Sequence, residues 1–538
     1  MGKAAWRIPP EPISEERIEQ TYEADVVIVG AGHSGVAAAR ACAEAGLSVR
    51  VIETMVEKNY WAYGIDFGHI NSDFLRSKGV PPVDEIEFFN DWQLRSGNRS
   101  NPRLVMQFVR NCGSCFDWFL EALSPEQRDN VQIRYWPAPK RYSNNICGIK
   151  TWIGTATFPE ALWHDKGITD AVVANIQRAK EHGAQFHFST VAEQLEKEDG
   201  RVTAVIAKKR HGGYLRCRAR KGVVLAAGDF ARNEEMMKDL CDELVTLAPS
   251  EAHRITGLSR DGSGIRMGVW AGGRMVPGPI ACMGGNTAAP NSPLFQATAT
   301  LWLDGENKRF CNEGFGDSEF SGLEVARIKT PRLVNLFDNK IDDILQRQPP
   351  IHGSLWVNNP QDPRMATAAD YIAGAQKAGK DGYAIKDPHA PKGVESPRLY
   401  AAATLEELAD ILGVSGQLKQ NLLDSVARYN AFCRSGRDED FGKDPSLLVP
   451  LDTAPYYAMV TDRTEGGAMG PMVTVDGLWT DDHQQVYDQQ LDVIPGLFAT
   501  GNCCGRRFGV QYSTPVAGVS IGIAWTLGRE LGKYLATL

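Results

Sequence analysis

The clearest hydrophobic pattern in the chain is a strand, a glycine turn, a helix and a second strand near the N-terminus. Residues 26–29, directly after Asp25, form an apolar run of β-branched side chains, which is typical of a strand buried on both faces. Three glycines follow at spacings i, i+2 and i+5, and the small apolar residues after them predict a helix. A second apolar strand, residues 49–52, ends at Glu53. The pattern predicts a βαβ unit whose helix begins in a glycine-rich turn.

Periodicity divides the rest of the chain into two regions of different character. Outside residues 283–452 it predicts helices over much of 84–123 and at 169–182, 261–273 and 517–532, and strands at 184–188, 191–196, 202–208, 214–218, 221–230 and 496–502. Within residues 283–452, Pro-rich loops separate a strand at 299–303 from helices near 366–378, 404–412 and 416–434. We predict an α/β fold in which a discontinuous Rossmann-like domain, residues 1–282 and 453–538, carries an inserted α+β domain, residues 283–452.

Composition narrows the class of partner. The chain has 538 residues, a formal net charge of −8 and no block of basic side chains, which argues against a nucleic-acid partner. No apolar run reaches the length of a membrane span, and the N-terminus lacks the apolar core of a signal peptide. We expect a cytoplasmic protein without a membrane span.

Two of the eleven cysteines, Cys112 and Cys115, have CxxC spacing. This spacing fits a redox pair or half of a metal site, but no second CxxC supplies two further ligands. Both residues also belong to an apolar stripe at helical spacing that includes Phe108, Phe116 and Leu120. We favour buried thiols on an amphipathic helix and predict no metal site.

The first glycine turn has the spacing that dinucleotide binding requires. Gly30 permits the tight turn, Gly32 lets a pyrophosphate approach the backbone, and Gly35 lets the helix lie close to the strand. The N-terminus of the following helix favours the negative charge of the phosphates. Glu53 is placed to accept hydrogen bonds from ribose hydroxyls. A dinucleotide cofactor is therefore predicted.

An aromatic segment follows this unit. Residues 60–72 combine rings, including Tyr60 and Tyr63, with small residues and no clean period. Such a loop, soon after the predicted ribose-binding strand, suits a wall around a flat ring system. An ordinary packed loop has the same composition, and the pattern does not separate the two.

Five motifs, in this order, resemble the FAD-dependent fumarate reductase/3-ketosteroid dehydrogenase family (FAD-binding type 2). They are the first glycine turn with Glu53, VVLAAGDF at 223–230, DGSGI at 261–265, GENKRFCNE at 305–313 and GLFATGN at 496–502. The resemblance spans nearly the whole chain. It implies FAD as the cofactor, a GR2-type Rossmann-like FAD-binding domain, and an inserted capping domain that closes over the flavin and contacts the substrate.

The resemblance also implies where FAD lies. The pyrophosphate is expected at the first glycine turn, the adenosine near Glu53 and Val191, the ribityl chain and inner phosphate near Gly501-Asn502, and the flavin between Ala227-Gly228 and the C-terminal helix. The expected FAD-binding residues are Gly30, Gly32, His33, Ser34, Gly35, Glu53, Thr54, Val191, Ala227, Gly228, Gly501, Asn502, Ala517, Gly518 and Ser520. The family reaction is hydride exchange between flavin N5 and a carbon of an activated C=C or CH–CH bond, with a protein acid or base handling the proton.

The chain departs from true fumarate reductases where those enzymes hold a dicarboxylate. The position of their arginine proton donor is Asp317 here, and no histidine precedes Gly466-Gly467. Arg506 and Arg507 lie near a third cationic position without its asparagine–arginine pattern. Because a dicarboxylate needs several fixed cationic donors, we expect a different substrate.

The loop before the C-terminal helix is closer to the ketosteroid/enone branch. It keeps Tyr512 and the final glycine of that branch's Y-P-G-x-G segment, with two extra residues between them. Tyr512 is the first candidate for a proton donor or carbonyl-binding group, and a core tyrosine is the alternative. Tyr60 and Tyr63 are second candidates. Arg309 is a further candidate, although an ion pair with Glu313 that supports the domain junction would also explain it.

Together these features predict an FAD-dependent oxidoreductase acting on CH–CH bonds. The expected substrate is a small molecule with an activated C=C, such as an enone, a ketosteroid-like ring or an aryl enoate, and reduction is slightly favoured. An external electron donor or acceptor is expected. The alternatives are a 3-ketosteroid-type dehydrogenase working in the desaturating direction and a flavin-bound redox sensor without turnover, with Cys112 and Cys115 as its thiols.

Overall fold

The structure is a computed structural model that describes residues 4–134, 150, 152–158, 167–242, 260–283, 298–315, 332–347, 368–385, 398–462, 473–512 and 515–538. Its strands are β1 Ile18–Val29, β2 Val49–Ile52, β3 Asp66–Gly68, β4 Gln132–Ile133, β5 Thr155–Thr157, β6 Gln185–His187, β7 Thr190–Glu198, β8 Arg201–Lys209, β9 Tyr214–Leu225, β10 Cys282–Met283, β11 Leu301–Leu303, β12 Arg332–Asp338, β13 Tyr383–Ala384, β14 Arg398–Ala402, β15 Tyr456–Asp462, β16 Val473–Thr474, β17 Gln485–Tyr487 and β18 Val493–Ala499. Its α-helices are α1 His33–Glu44, α2 Asp73–Ser77, α3 Glu85–Arg95, α4 Pro102–Glu121, α5 Pro125–Asp129, α6 Gly167–Glu181, α7 Glu234–Leu240, α8 Ser263–Trp270, α9 Ile341–Arg347, α10 Ala368–Ala378, α11 Leu405–Ile411, α12 Gly416–Ser435 and α13 Val519–Thr537.

An eight-stranded sheet forms the larger core, and its main path runs β17-β18-β9-β1-β2-β6. β1 pairs in parallel with β2 and β9, while β18 and β6 extend the parallel set on either side. Alternate side chains of β1 enter different cores: Val26 and Ile28 pack with α1, and Val27 and Val29 pack on the opposite face. The apolar end of β1, residues 26–29, is therefore buried on both faces, as its continuous apolar run predicts.

Small residues bring the C-terminal helix α13 alongside α1. A Cβ at Gly528 would lie 2.5 Å from the Ser34 carbonyl oxygen, and a Cβ at Gly532 would lie 2.6 Å from Ala41 Cβ. Both distances are too short for a larger residue, so glycine at these positions permits the close packing of the two helices. The last helix of the chain therefore reaches the glycine turn that opens the first.

A meander of β7, β8 and β9 joins the same sheet in antiparallel order. The pattern predicted two separate strands at 214–218 and 221–230, and this was wrong, because β9 is one strand of 12 residues. Its pairing with β1 continues past residue 219 through a register shift between Ala24 and Val26. The irregular register explains why the side-chain pattern is interrupted there although the strand is not.

A second sheet has the order β11-β12-β15-β14-β13. One face is covered by a core that includes α9 and α10, and the other by a core that includes α11 and α12. β15 pairs with β12 and β14, so the predicted boundary at residue 453 falls before a strand of this sheet. The division of the chain into an FAD-binding domain and an inserted domain stays a prediction.

The region predicted as largely helical, residues 84–123, contains the two helices α3 and α4. Asn101 caps α4 by accepting the Arg103 N–H at 3.0 Å, and Pro102 occupies the first helical position. Cys112 and Cys115 are buried on α4, and burial raises the pKa of each thiol to about 12. Neither is a thiolate near neutral pH, which favours the structural interpretation of this CxxC pair.

Two observations concern the described part of the chain as a whole. It contains no group of three or more His, Cys, Asp or Glu side chains arranged to hold a metal ion. None of its helices combines the length and apolar character needed to cross a bilayer.

Candidate active site

Four adjacent parallel strands, β18, β9, β1 and β2, end along one edge of the large sheet. The residues that follow these strand ends are held in line by backbone hydrogen bonds. The N–H groups of Gly30, Ala226 and Thr500 donate to the last carbonyl of the neighbouring strand at 2.8, 2.8 and 2.9 Å. The carboxyl edge of a parallel sheet is where α/β proteins bind ligands. The structure therefore brings the predicted Gly30, Glu53, Ala227-Gly228 and Gly501 segments to one edge.

The three glycines of the turn are of two kinds: Gly30 and Gly35 have no room for a side chain, whereas Gly32 does. Gly30 has φ +101°, and a Cβ there would lie 2.5 Å from the Ala226 carbonyl oxygen. A Cβ at Gly35 would lie 2.0 Å from the Gly30 carbonyl oxygen. A Cβ at Gly32 would meet nothing within 4 Å, and its φ of −73° is open to any residue. The space in front of Gly32, at the N-terminus of α1, fits the pyrophosphate of a dinucleotide.

Glu53 is buried and fixed beside this turn. One carboxylate oxygen accepts the Ala31 N–H at 2.7 Å, and the other accepts the Met55 N–H at 2.8 Å and the Thr54 hydroxyl at 3.1 Å. A carboxylate has about four lone-pair sites, so acceptor capacity is left for a ribose hydroxyl. The backbone at Val191 is close by, because the neighbouring Thr190 N–H donates to the Glu53 carbonyl oxygen at 2.9 Å.

His33, at the start of α1, is hydrogen-bonded both to α13 and to the aromatic segment. Trp525 of α13 donates its indole N–H to His33 Nδ1 at 2.9 Å, so Nε2 carries the proton and donates to the Tyr63 carbonyl oxygen at 2.7 Å. Burial lowers the pKa of His33 to about 4. Ser34, the next residue, is buried against the GLFATGN segment, since a Cβ at Gly501 would lie 2.3 Å from its Oγ.

The end of β9 is held by Asp229, a residue that the sequence motif contains but that we did not predict as part of the site. One carboxylate oxygen accepts the Arg260 N–H at 2.7 Å, and the other accepts those of Ala231 and Thr474 at 3.0 and 3.1 Å. Gly228 precedes it with φ +90°, and its carbonyl oxygen accepts the Cys503 thiol at 3.2 Å. A charged residue inside an apolar motif was the available signal.

We expect Asp229→Asn to lower the free energy of unfolding by at least about 2 kcal/mol, because its amide NH₂ would face backbone N–H groups that need an acceptor. Burial raises the pKa of Asp229 to about 6 from its ordinary 3.8. The folded state therefore binds the proton more tightly, and wild-type stability falls as the pH rises between these values. The difference in unfolding free energy between the wild type and Asp229→Asn should therefore be larger near pH 4 than above pH 6.

Denaturant unfolding at several pH values measures this effect. Asp261→Asn is the control, because the Asp261 side chain is 60% exposed. A deficit for Asp229→Asn that is no larger than for the control would contradict the assignment.

The start of α13 contacts the small sheet β3-β5-β4. Gly518 has φ +76°, caps α13 and accepts the Gly68 N–H at 2.9 Å on its carbonyl oxygen. The carbonyl oxygen of Ala517 accepts the Thr155 hydroxyl at 2.9 Å. Ser520 lies half-buried on the first turn. The helix N-terminus that the resemblance places at the flavin is thus held by β3, which lies within the aromatic segment, and by β5.

The three candidate tyrosines lie in different surroundings. Tyr512 is 8% exposed and contacts Phe508 edge to face, with 5.0 Å between ring centroids. Tyr60 donates its hydroxyl to the Ala31 carbonyl oxygen at 2.5 Å, beside the pyrophosphate turn, and burial raises its pKa. Tyr63 is 37% exposed and lies 5.6 Å from Trp61 between ring centroids. The contacts of Tyr60 favour support of the glycine turn over chemistry.

Arg309 lies in a buried ion-pair cluster beside the second sheet. It makes two hydrogen bonds to Glu313 at 2.8 and 2.9 Å and two to Asp438 at 2.8 and 2.7 Å. Lys443 approaches Glu313 at 3.4 Å and donates to the Ala299 carbonyl oxygen at 2.7 Å. These contacts match the structural alternative for Arg309, the pair with Glu313. Of the departures from fumarate reductases, those at Asp317 and before Gly466-Gly467 lie outside the described residues.

We expect Arg309→Gln to cost about 3–5 kcal/mol of unfolding free energy, because two buried carboxylates would lose the guanidinium that they share, and only Glu313 would keep a nearby cation, Lys443. The FAD content of the protein that remains folded should not change. Arg428→Gln is the matched control: its pair with Asp440 is exposed, so its loss should leave the free energy of unfolding close to that of the wild type. Thermal unfolding followed by circular dichroism, with flavin absorbance as a second signal, separates the two effects. Loss of FAD without loss of stability would instead place Arg309 in the site.

The aligned strand ends, the open face of Gly32 and the buried Glu53 are the features of a dinucleotide-binding protein. The chain belongs to the FAD binding domain family, whose model matches residues 25–521. FAD is therefore its cofactor, and the chain is an FAD-dependent oxidoreductase with reductases and dehydrogenases among its relatives.

Comparisons with individual proteins agree with this family. The chain is 24% identical to vinyl phenol reductase of Lactiplantibacillus plantarum, over 95% of this chain and 96% of that protein. It is 24% identical to digoxin reductase of Eggerthella lenta, over 97% and 88% of the two chains. The crystal structure of 3-ketosteroid-Δ4-(5α)-dehydrogenase from Rhodococcus jostii has the same fold, with a TM-score of 0.68, 21% identity and coverage of 98% and 99%. The predicted family, fold class and cofactor are confirmed.

Proposed function

We propose that this protein reduces a C=C bond conjugated to a carbonyl group, with Tyr512 as the proton donor. The observation that carries the proposal is the place of Tyr512 in the fold. It belongs to an apolar cluster with Phe508, which follows the Gly501 segment, and Val519, which begins α13. Both segments are expected to border the flavin, so a tyrosine between them lies where a substrate ring would stack.

The walls around Tyr512 favour a neutral, flat substrate. Its cluster contains Trp92, Phe108 and Phe508, and the Trp92 and Phe508 rings stack with centroids 5.5 Å apart. Aromatic walls bind an apolar ring by burying its surface and exclude water from the reaction. Two of the similar proteins are named for, or hold, a compound of this kind: one is a vinyl phenol reductase, and the Rhodococcus structure holds 4-androstene-3,17-dione.

The chemistry divides between cofactor and protein. Bound FAD, once reduced, supplies a hydride to one carbon of the double bond. The Tyr512 hydroxyl gives its proton to the other carbon, so that C=C becomes CH–CH and the proton is regained from solvent. The N–H groups at the start of α13 favour negative charge beside them. Glu53 and the glycine turn hold the adenosine end and keep the reactive end in place.

Partner and location complete the proposal. An external electron carrier delivers the electrons, as expected for a reductase with this cofactor. A cytoplasmic setting is part of the same proposal.

A two-direction assay tests the function. Purified protein is given reduced viologen with a panel of steroid enones, aryl enones and aryl enoates, and separately a dye acceptor with the matching saturated ketones. We expect turnover of at least one conjugated C=C with the viologen donor. Turnover only with saturated ketones and dye would reverse the direction, and no turnover either way would favour a redox sensor.

A further inference from the structure

A buried arginine outside the predicted site has one edge without a partner among the residues that the structure describes. Arg507 is fully buried, and its Nε donates to the Cys504 carbonyl oxygen at 3.0 Å. Its Nη2 donates to the Val475 carbonyl oxygen at 2.7 Å and to Asn502 Oδ1 at 2.8 Å. Its Nη1 is buried and has no acceptor among the described residues.

The charge of Arg507 is not neutralised by a contact in the described part of the chain. The carboxylate that acts on it through space, Asp476, uses its two oxygens to accept the N–H groups of Ala281 and Arg506 at 3.0 and 2.7 Å. Burial lowers the pKa of the Arg507 guanidinium. A buried cation without an ion pair is costly unless a ligand supplies the missing acceptor or charge.

The position of Arg507 indicates which ligand this is. Asn502 follows Gly501 at the end of β18, on the edge where the four strand ends meet. Because Arg507 donates to Asn502 Oδ1, the amide is fixed with its NH₂ group free to donate elsewhere. An NH₂ donor at this edge, backed by a positive charge, suits the oxygens of the ribityl-phosphate portion of FAD.

We propose that Arg507 is a positioning residue for FAD, which orients Asn502 toward the cofactor and supplies a buried positive charge that stabilises the reduced cofactor. This goes beyond the proposed reaction and holds for either direction and any substrate. It rests on FAD binding alone, so its failure would leave the proposed substrate class untouched.

Matched charge removals test the electrostatic part. Arg507→Gln should weaken FAD binding about tenfold or more. It should also lower the two-electron reduction potential of bound FAD by about 30 mV, which corresponds to a tenfold change in the equilibrium constant for reduction. Arg506→Gln is the control: its guanidinium stacks on Trp479, 4.6 Å from the ring centroid, and it should leave both quantities unchanged. Potentials are measured by anaerobic dye equilibration, and affinities by reconstitution of the apoprotein. Equal effects of the two variants would overturn the proposal.

A second variant tests the role of Asn502 even if Arg507→Gln does not fold. Arg507→Lys keeps the charge, so the potential should stay near that of the wild type. The single ammonium group of lysine cannot donate to Asn502 and to both loop carbonyls in the planar geometry of a guanidinium. Asn502 should therefore be less well fixed, and FAD binding should weaken. Asn502→Ala should then cost much less FAD affinity in the Arg507→Lys background than in the wild type. The same cost in both backgrounds would show that Arg507 does not act through Asn502, and would overturn the proposal.

Discussion

Gly32→Val yields a folded protein that purifies without flavin colour. The new side chain fits the backbone, because Gly32 has an ordinary φ and its Cβ would meet no protein atom within 4 Å. It would instead fill the space that a pyrophosphate needs at the start of α1. We expect FAD affinity to fall about 100-fold or more, a loss of about 3 kcal/mol of binding free energy. Flavin absorbance and circular dichroism of the purified protein measure the two properties.

Gly35→Ala is the contrasting variant. Its Cβ would lie 2.0 Å from the Gly30 carbonyl oxygen, so the helix must move away from the turn. We expect a large loss of stability together with the loss of FAD, whereas Gly32→Ala should bind FAD weakly and unfold like the FAD-free wild type. If Gly32→Val retained one FAD per chain, the pyrophosphate would lie elsewhere.

Tyr512→Phe has the second largest expected effect. Turnover should fall about 10²–10⁴-fold, the range for loss of a general acid. The ring is retained, so its contact with Phe508 and the stability of the apolar cluster should be preserved. FAD content and the rate of flavin reduction by an external donor should stay at wild-type values, which separates the proton step from cofactor loading. Steady-state assays with the enone substrate and anaerobic flavin reduction measure the two steps.

Tyr60→Phe is the control for this variant. Its hydroxyl donates to the Ala31 carbonyl oxygen in the glycine turn, so its removal should weaken FAD binding more than it slows turnover of the loaded protein. Full activity of Tyr512→Phe would remove the proposed proton donor. A specific loss of turnover in Tyr60→Phe, with FAD retained, would transfer that role to Tyr60.

The part of the fold that could be predicted is the part set by local rules. The βαβ unit was visible because a strand buried on both faces needs a continuous apolar run and a pyrophosphate turn needs glycine at fixed spacing. The continuity of β9 was missed because its register with β1 shifts at residues 24–26, which disturbs the side-chain pattern without ending the strand. The membership of β15 in the second sheet is a pairing between distant segments, for which the local pattern has no signal.

The residues of the candidate site also differ in whether their role depends on local sequence or on distant contacts. The glycines and Glu53 could be proposed as cofactor-binding residues from the sequence, because the chemistry expected of them depends on their own backbone and spacing. The roles of Asp229 and Arg507 depend on groups far away in sequence: Asp229 accepts the N–H of Thr474, and Arg507 donates to the carbonyl oxygen of Val475. Arg309 is a residue that the motif singled out but whose role it could not decide. The motif is the same whether the arginine contacts substrate or, as here, pairs with Glu313 and Asp438.

The central claim is that this protein transfers a hydride from reduced FAD to a conjugated C=C. The most direct measurement is a single turnover in the absence of oxygen, in which the chemically reduced protein is mixed with an enone and the return of oxidised flavin absorbance is followed. We predict rapid reoxidation with the enone, formation of one equivalent of the saturated ketone, and no reoxidation with the saturated ketone itself. Reduced flavin that persists with every conjugated enone and enoate of the panel would contradict the account.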